Sequence, residues 1–395
     1  MPTTYIFVLL PSVCKSKIMD TNTLNLTEIR HTLHRLAEPS GCEVRTQQFL
    51  LDTLRTLYPT EIRTFDNSRN FLAVFDSGHN GPTTLIRADF DAVRVDETID
   101  IPYASDTAGV AHKCGHDGHS TILLGLAEQL HLHPLEKGRT LLFFQAAEET
   151  GEGAGQLLQT GILETFRPDR VYALHNIPGE PLGTVLCKTG SFTCSVVSCD
   201  IALHGRTSHA AEPLKALSPY PAAKAITDQL LALNQYDMER DDFRLLTLVE
   251  FRVGEPAYGV TAGHGVLRFT LRAKDDNLLQ KTKLQLEEIV SRAASTDGLQ
   301  TSVSWKEYFA ASSNAADAVT QIREAAQACG LAYKEKPQPF SWGEDFGLLT
   351  QHYDGALFGL GSGEHQPSLH HQHFDFPDEL VPIGVRLFYE LAKRG

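Results

Sequence analysis

Apolar residues recur at three- and four-residue intervals along residues 26–36 and again along 44–57, the period of amphipathic helices, with a turn at Pro39-Ser40-Gly41 between them. The period then changes. Residues 71–75 and 83–87 read as strands separated by a turn at Asn80-Gly81-Pro82. A helix over 120–131, a strand over 140–145 apolar enough to be buried on both faces, a helix over 153–161 and a strand over 170–174 continue the alternation. Strands alternating with helices predict an α/β fold on a mostly parallel sheet.

From about residue 191 the texture shifts. Residues 196–203 alternate as a strand, 221–233 read as a helix, 245–253 and 266–273 as strands, and 278–293 as a helix. That is a smaller α+β unit. Beyond Trp305 a helix over 315–329, a Gly-rich strand over 355–361 and a closing helix from Pro382 resume the first pattern. The expected division is a main domain of residues 21–190 and 307–395, with residues 191–306 inserted into it. Residues 1–20 read as an appendage, because Met19 stands just before the first amphipathic stretch.

Composition narrows the function classes. At 395 residues and 42% hydrophobic content the chain is long enough for two cores. Its formal charge of -14, with no sustained Lys/Arg run, argues against a nucleic-acid partner. The one apolar run near the start, residues 6–10, is too short to span a membrane and lacks the basic start of a secretory signal. Seven scattered cysteines, an odd total, do not suggest a disulfide framework and fit a reducing, cytoplasmic setting.

The chemistry concentrates in His112-Lys113-Cys114-Gly115-His116-Asp117-Gly118-His119. Cys114 and His116 are two apart, a spacing that misses a common helical face but suits a turn in which Gly115 lets the backbone fold around an ion. The other cysteines supply no second short-spaced pair for a closed structural zinc site. Asp89 and Asp91, Glu148 and Glu149, and His175 each follow a predicted strand, and open α/β sheets bind ligands off the carboxyl ends of their strands. Neighbours in extended backbone point to opposite sides, so one of Glu148 and Glu149 can bind metal while the other faces a metal-bound water. A divalent metal lowers the pKa of its water toward ~7, and a nearby carboxylate can carry the proton to a leaving nitrogen.

In order along the chain, Arg87-Ala88-Asp89-Phe90-Asp91-Ala92, the segment Cys114 to His119, Gln145-Ala146-Ala147-Glu148-Glu149, Ala173-Leu174-His175-Asn176, the segment Gly205 to Pro213, Trp342-Gly343-Glu344-Asp345-Phe346-Gly347 and the segment Leu369 to Phe376 resemble the motifs of the metal-dependent N-acyl-amino-acid amidohydrolases. That family includes aminoacylase-like, hippurate and indole-acetyl-amino-acid hydrolases. Each motif alone is weak, and seven in sequence are specific. The resemblance implies a catalytic domain holding two divalent ions and an inserted lid domain through which a homodimer forms. Carried over residue by residue, it implies Cys114, His116, Glu149, His175 and His370 as metal ligands and Glu148 as general base. Asp89 would orient a ligand group. His209 would reach an active site across the dimer and stabilise the oxyanion. Arg272 would bind the substrate carboxylate. Thiolate and imidazole donors favour zinc, while the resemblance also allows manganese, cobalt or nickel.

The chain departs from the pattern in three places. His34 to Glu38 lacks the proline usual before the glutamate, Arg94 stands where a proline is usual, and Gly259 replaces the Asn that assists the substrate-binding arginine. Other classes compete: a thiol hydrolase using Cys114 and His116 leaves Glu148, Glu149, His175 and His370 without a task, and a pure metal binder needs no acid/base glutamate. The expected activity is hydrolysis of the amide of an N-acyl amino acid or related N-acyl amine, with a dipeptidase or carboxypeptidase acting on short peptides as the alternative.

Overall fold

The computed structural model describes residues 23–395, so the expected appendage of residues 1–20 lies outside the described residues. The chain runs α1 (Leu26–Leu36), α2 (Val44–Arg55), β1 (Glu61–Thr64), β2 (Phe71–Asp76), β3 (Thr83–Asp89), α3 (His116–Leu132), β4 (Arg139–Gln145), α4 (Gly153–Gln159), α5 (Ile162–Phe166) and β5 (Arg170–Pro178). It continues with β6 (Val185–Cys187), β7 (Gly190–Ser191), β8 (Ser195–His204), α6 (Tyr220–Leu231), β9 (Arg244–Val253), β10 (His264–Ala273), α7 (Asp276–Asp297) and β11 (Gln300–Phe309). Last come β12 (Ser313–Asn314), α8 (Ala316–Ala328), β13 (Tyr333–Glu335), α9 (Gly347–Thr350), β14 (Gly355–Gly363) and α10 (Leu380–Arg394). Among the described residues no helix is long and apolar enough to cross a membrane.

These elements form two compact units. The first is built on an eight-stranded sheet of order β1-β2-β4-β3-β5-β14-β6-β13. Its centre, β4-β3-β5-β14, is parallel, as the sequence pattern predicts. Its flanks correct the expectation of a mostly parallel sheet: β1 and β2 run antiparallel to their neighbours, and β6 runs antiparallel to β14, so the sheet is mixed. Short β1, β6 and β13 carry too few residues to show a period, which is why the sequence pattern passes over them. Strand β3 is buried along its whole length, and α3 packs against α1, α10 and β3 to close one core.

The second unit comprises Thr193–Ser312 and Gln338–Gly347. Its four-stranded antiparallel sheet has the order β11-β8-β10-β9, with α6 and α7 packed against it. Alternation sets the faces: Val197, Cys199, Ile201 and Leu203 of β8 join Leu267, Phe269 and Leu271 of β10 in its core. Asp275 caps α7 by accepting from the Leu278 amide at 2.9 Å. The sequence pattern assigned 338–347 to the other domain. The structure instead pairs Phe340 with Thr193 and bonds the Cys194 amide to the Phe340 carbonyl at 2.9 Å.

Candidate metal centre

Three strands and two turns of the first unit supply the polar cluster. Strand β3 ends at Asp89 and leads to Asp91, β4 leads to Glu148 and Glu149, and β5 carries His175 within the strand rather than after it. Cys114 precedes α3 and His116 opens it, separated by Gly115 at φ 97°, a left-handed conformation open to glycine. A side chain at Gly115 would also strike Asn176 Oδ1 at 2.5 Å. His370 itself holds a left-handed φ of 62°, fixed by its amide donating to the Lys113 carbonyl at 2.7 Å.

His116 and His175, the two buried histidines among the expected ligands, are oriented the same way. His116 Nδ1 faces the Asp91 carbonyl at 3.0 Å and Asp91 Oδ1 at 3.1 Å, both acceptors, so Nδ1 donates and Nε2 is the atom that faces the cluster. His175 Nδ1 faces the Asn176 carbonyl at 2.9 Å, and its Nε2 lies 3.5 Å from Cys114 Sγ. His116 Nε2 is 3.7 Å from Glu149 Oε1, and both atoms are buried without a hydrogen-bond partner. His370 Nε2 lies 3.3 Å from the same Glu149 oxygen. Donor atoms of Cys114, His116 and His175 lie within 4.8 Å of one another, as do those of Cys114, Glu149 and His370, and those of His116, Glu148 and Glu149.

The donor set fits metal cations on its own chemistry. His116 Nε2 and Glu149 Oε1, both without a hydrogen-bond partner, converge with the Cys114 thiol in a buried space where an orphaned polar atom is costly, and a cation entering it would displace protons from these groups. Burial pushes the Cys114 thiol well up, and the carboxylates of Glu149, Glu148 and Asp89 add to the shift, as expected of a pocket that is negative until a cation enters. Burial opposes charge on His116, yet Asp89, Asp91 and Glu149 raise it to about 10.

The surrounding carboxylates divide the contacts to the imidazoles between them. Asp91 reaches His116 Nδ1, and its Oδ2 accepts from the Glu149 amide at 3.0 Å and the Ser40 hydroxyl at 2.7 Å. Asp89 bonds Arg87 at 2.5 Å and His119 Nδ1 at 2.6 Å, and its Oδ2 lies 3.7 Å from His116 Nε2. Burial would raise the Asp89 carboxyl, but Arg87, His116 and His119 hold it well below the usual range. His119 Nε2 lies 2.6 Å from Asn176 Oδ1, so both ring nitrogens are engaged. His371 and His373 face each other, with the His373 amide donating to His371 Nδ1 at 3.1 Å.

Sequence reasoning missed a charged brace behind the cluster. Arg30, wholly buried on α1, pairs with Asp117 at 3.2 Å, with Asp375 at 2.9 Å and with Asp378. His34 lies between Asp117 at 2.8 Å and Glu97 at 2.9 Å, and Lys113 pairs with Glu97. Arg30 and His34 sit four apart on one helix face, the signal that could have been read. Another unread group is Glu43, buried beside this site, whose carboxyl burial pushes up to about 7 with a further contribution from Asp91.

Arg272 and His209 belong to the second unit. The Arg272 guanidinium, on β10, donates to the Ser341 carbonyl at 3.0 Å. His209 is exposed and its Nδ1 accepts from the Ala211 amide at 3.1 Å. The Ala210 amide donates to the Gly259 carbonyl at 3.0 Å, and a side chain at Gly259 would meet nothing within 4 Å.

Residues 85–394 match the model of peptidase family M20/M25/M40. An N-acetyldiaminopimelate deacetylase of Bacillus velezensis is 31% identical over 90% of this chain and 94% of its own length. An N-acetyl-L-cysteine deacetylase of Bacillus subtilis is 29% identical over 95% of this chain and 89% of its own. Among solved structures, the YxeP protein of Bacillus subtilis, a dinuclear metal binding peptidase from the M20 family, superposes with a TM-score of 0.78 at 25% identity, covering 93% of this chain and 97% of that one. By its motifs, its buried donor cluster and these relatives, the chain belongs to peptidase family M20/M25/M40 and is a metal-dependent amidohydrolase.

Proposed function

We propose that the protein removes the acyl group from an N-acyl amino acid, with an N-acetylated amino acid as the first substrate class to try. The observation that carries the reading is the shared orientation of His116 and His175, each with Nδ1 engaged by an oxygen and Nε2 turned toward Cys114 or Glu149. The deacetylases among the relatives support acetyl as the acyl group to try first.

Cys114, His116, Glu149, His175 and His370 would hold two divalent ions, zinc or manganese first among them. Bound there, such ions activate water and polarise the scissile carbonyl. Glu148, buried beside Glu149, takes the proton of the attacking water and returns it to the leaving nitrogen. Asp91 fixes the His116 tautomer. The second unit, expected from the sequence as residues 191–306, acts as the lid and dimerisation domain. Arg272 donates to the substrate carboxylate, and His209 of one copy donates to the oxyanion in the other. With Gly259 in place of an Asn amide, the demand for a free α-carboxylate is weaker than is usual in the family.

The deciding experiment follows amine release from a panel of N-acyl amino acids, their amides, and dipeptides, with metal-loaded and chelator-treated protein. Chelator-sensitive turnover of N-acetyl amino acids supports the reading. Turnover confined to dipeptides would replace it with a peptidase.

A further inference from the structure

We propose that Glu43 is a positioning residue whose carboxylate locks the left-handed turn at Ala147 and thereby aims Glu148 and Glu149. This inference rests on the reading of Glu148 as the proton carrier.

Ala147 immediately precedes the two glutamates and has a φ of 54°. That conformation brings the Cβ of an L-residue too close to the following carbonyl oxygen, and alanine has no polar side chain to offset the strain. Such backbone persists only where the surroundings hold it. Here the Ala147 amide donates to Glu43 Oε1 at 2.8 Å, and the Ala147 carbonyl accepts from the Glu152 and Gly153 amides, each at 3.2 Å. The preceding Ala146 amide donates to Asn70 Oδ1 at 2.8 Å, whose amide nitrogen reaches the Gly153 carbonyl at 2.7 Å. The turn is closed so tightly that a Cβ on Gly153 would lie 1.9 Å from the Ala146 carbonyl oxygen.

Glu43 is placed for this task by a division of labour at the start of α2. It occupies the N-cap position yet makes no capping bond with its side chain. Glu38 serves instead, accepting from the Arg45 and Thr46 amides at 2.9 Å and the Thr46 hydroxyl at 3.0 Å. The Glu43 carboxylate, wholly buried, is therefore released to reach 104 residues along the chain. It is the side-chain acceptor on the Ala147 amide, one peptide from the proposed base.

The test uses the full chain, metal-loaded, with Glu43→Met, Glu43→Gln, Ala147→Gly and the double variant Glu43→Met/Ala147→Gly. Methionine keeps the volume and removes the acceptor, whereas the glutamine carbonyl retains it. Glu43→Met should lower kcat by about 100-fold, the cost of a misplacement on the order of 1 Å, with KM within about threefold. Glu43→Gln should stay within about threefold of wild type, and Ala147→Gly should recover at least about tenfold in the Glu43→Met background, since glycine adopts the turn without a brace. An unchanged kcat in Glu43→Met, no recovery by glycine, or Glu43→Gln impaired more than about tenfold would each overturn the proposal. The last variant decides even where Glu43→Met does not fold. Hydrogen exchange of the Ala147 amide gives a readout without substrate: protected in wild type and Glu43→Gln, faster in Glu43→Met. If no N-acyl amino acid is cleaved, the functional reading fails, while equal exchange in all three proteins would overturn the brace.

Discussion

Asp91 holds His116 and Glu149 together: one carboxylate oxygen lies 3.1 Å from the imidazole Nδ1, and the other accepts the Glu149 amide at 3.0 Å. A single side chain thus sets the tautomer of one proposed ligand and the backbone of another. Asp91→Asn should weaken zinc affinity by roughly 10–100-fold, the usual cost of losing a carboxylate behind a metal-binding imidazole. Competition with a chromophoric chelator measures this, and unchanged affinity would remove Asp91 from that role.

Glu148 and Glu149 are neighbours with different assignments. Glu148→Gln should retain its metals and lose ~10²–10⁴-fold in turnover. Glu149→Gln should lose metal first, because its unpaired Oε1 faces His116 and His370 at 3.7 and 3.3 Å. Metal content by elemental analysis alongside kcat separates the two, and a Glu148→Gln protein active with metals bound would refute the general-base assignment.

Cys114 should bind metal as thiolate. Loading with cobalt should produce a sulfur-to-cobalt charge-transfer band near the ultraviolet edge, absent from Cys114→Ser. The thiol's raised pKa, caused first by burial and then by Glu149, Glu148 and Asp89, means that cobalt binding should release a proton to buffer. A band that persists in Cys114→Ser would assign it to another group.

The His34 imidazole contributes a pH-dependent share of stability. Burial opposes its charge, but bonds to Asp117 and Glu97 raise it from the usual 6.5 to about 9. Its contribution is therefore complete below pH 6.5 and is lost as pH rises through about 9. Glu97 shows the opposite sign: burial would raise it, yet His34 and Lys113 lower it from 4.5 to about 2, so its share is present above 4.5 and lost toward pH 2. The difference in thermal unfolding midpoint between wild type and His34→Gln should shrink from pH 6.5 to 9, because each tenfold gain in proton affinity on folding is worth about 1.4 kcal/mol. A constant gap would mean that His34 is neutral in the folded protein.

Much of the cluster was legible because metal donors are chemically distinctive and strand ends are predictable places. The period-2 and period-3.6 runs located β3, β4, β5 and α3, and so the segments carrying Asp89, Glu148 and His175. The roles of Asp91 and His119 were not legible, since spacing does not say which carboxylate meets which imidazole. Glu43 was hidden for a related reason: an N-cap glutamate reads as local capping, and only the fold reveals a bond spanning 104 residues. The exposed alternation of β11 gave a strand with too weak an apolar signal to register.

The ion pair between Arg30 and Asp378 spans 348 residues, and its consequence is temporal. At the roughly 5–20 residues per second of protein synthesis, about half a minute separates the appearance of α1 from that of Asp375 and Asp378, long after the nearer partner Asp117 has emerged. Throughout that interval Arg30 lacks two of its three carboxylate partners, and the turn at Cys114 has no support from Asp375 or Asp378 behind it. Most of the second unit, Thr193–Ser312, is synthesised before His370 exists. Translation thus finishes a unit with its own core before it delivers His370, the last of the proposed donors, so the proposed site can be completed only at the close of synthesis.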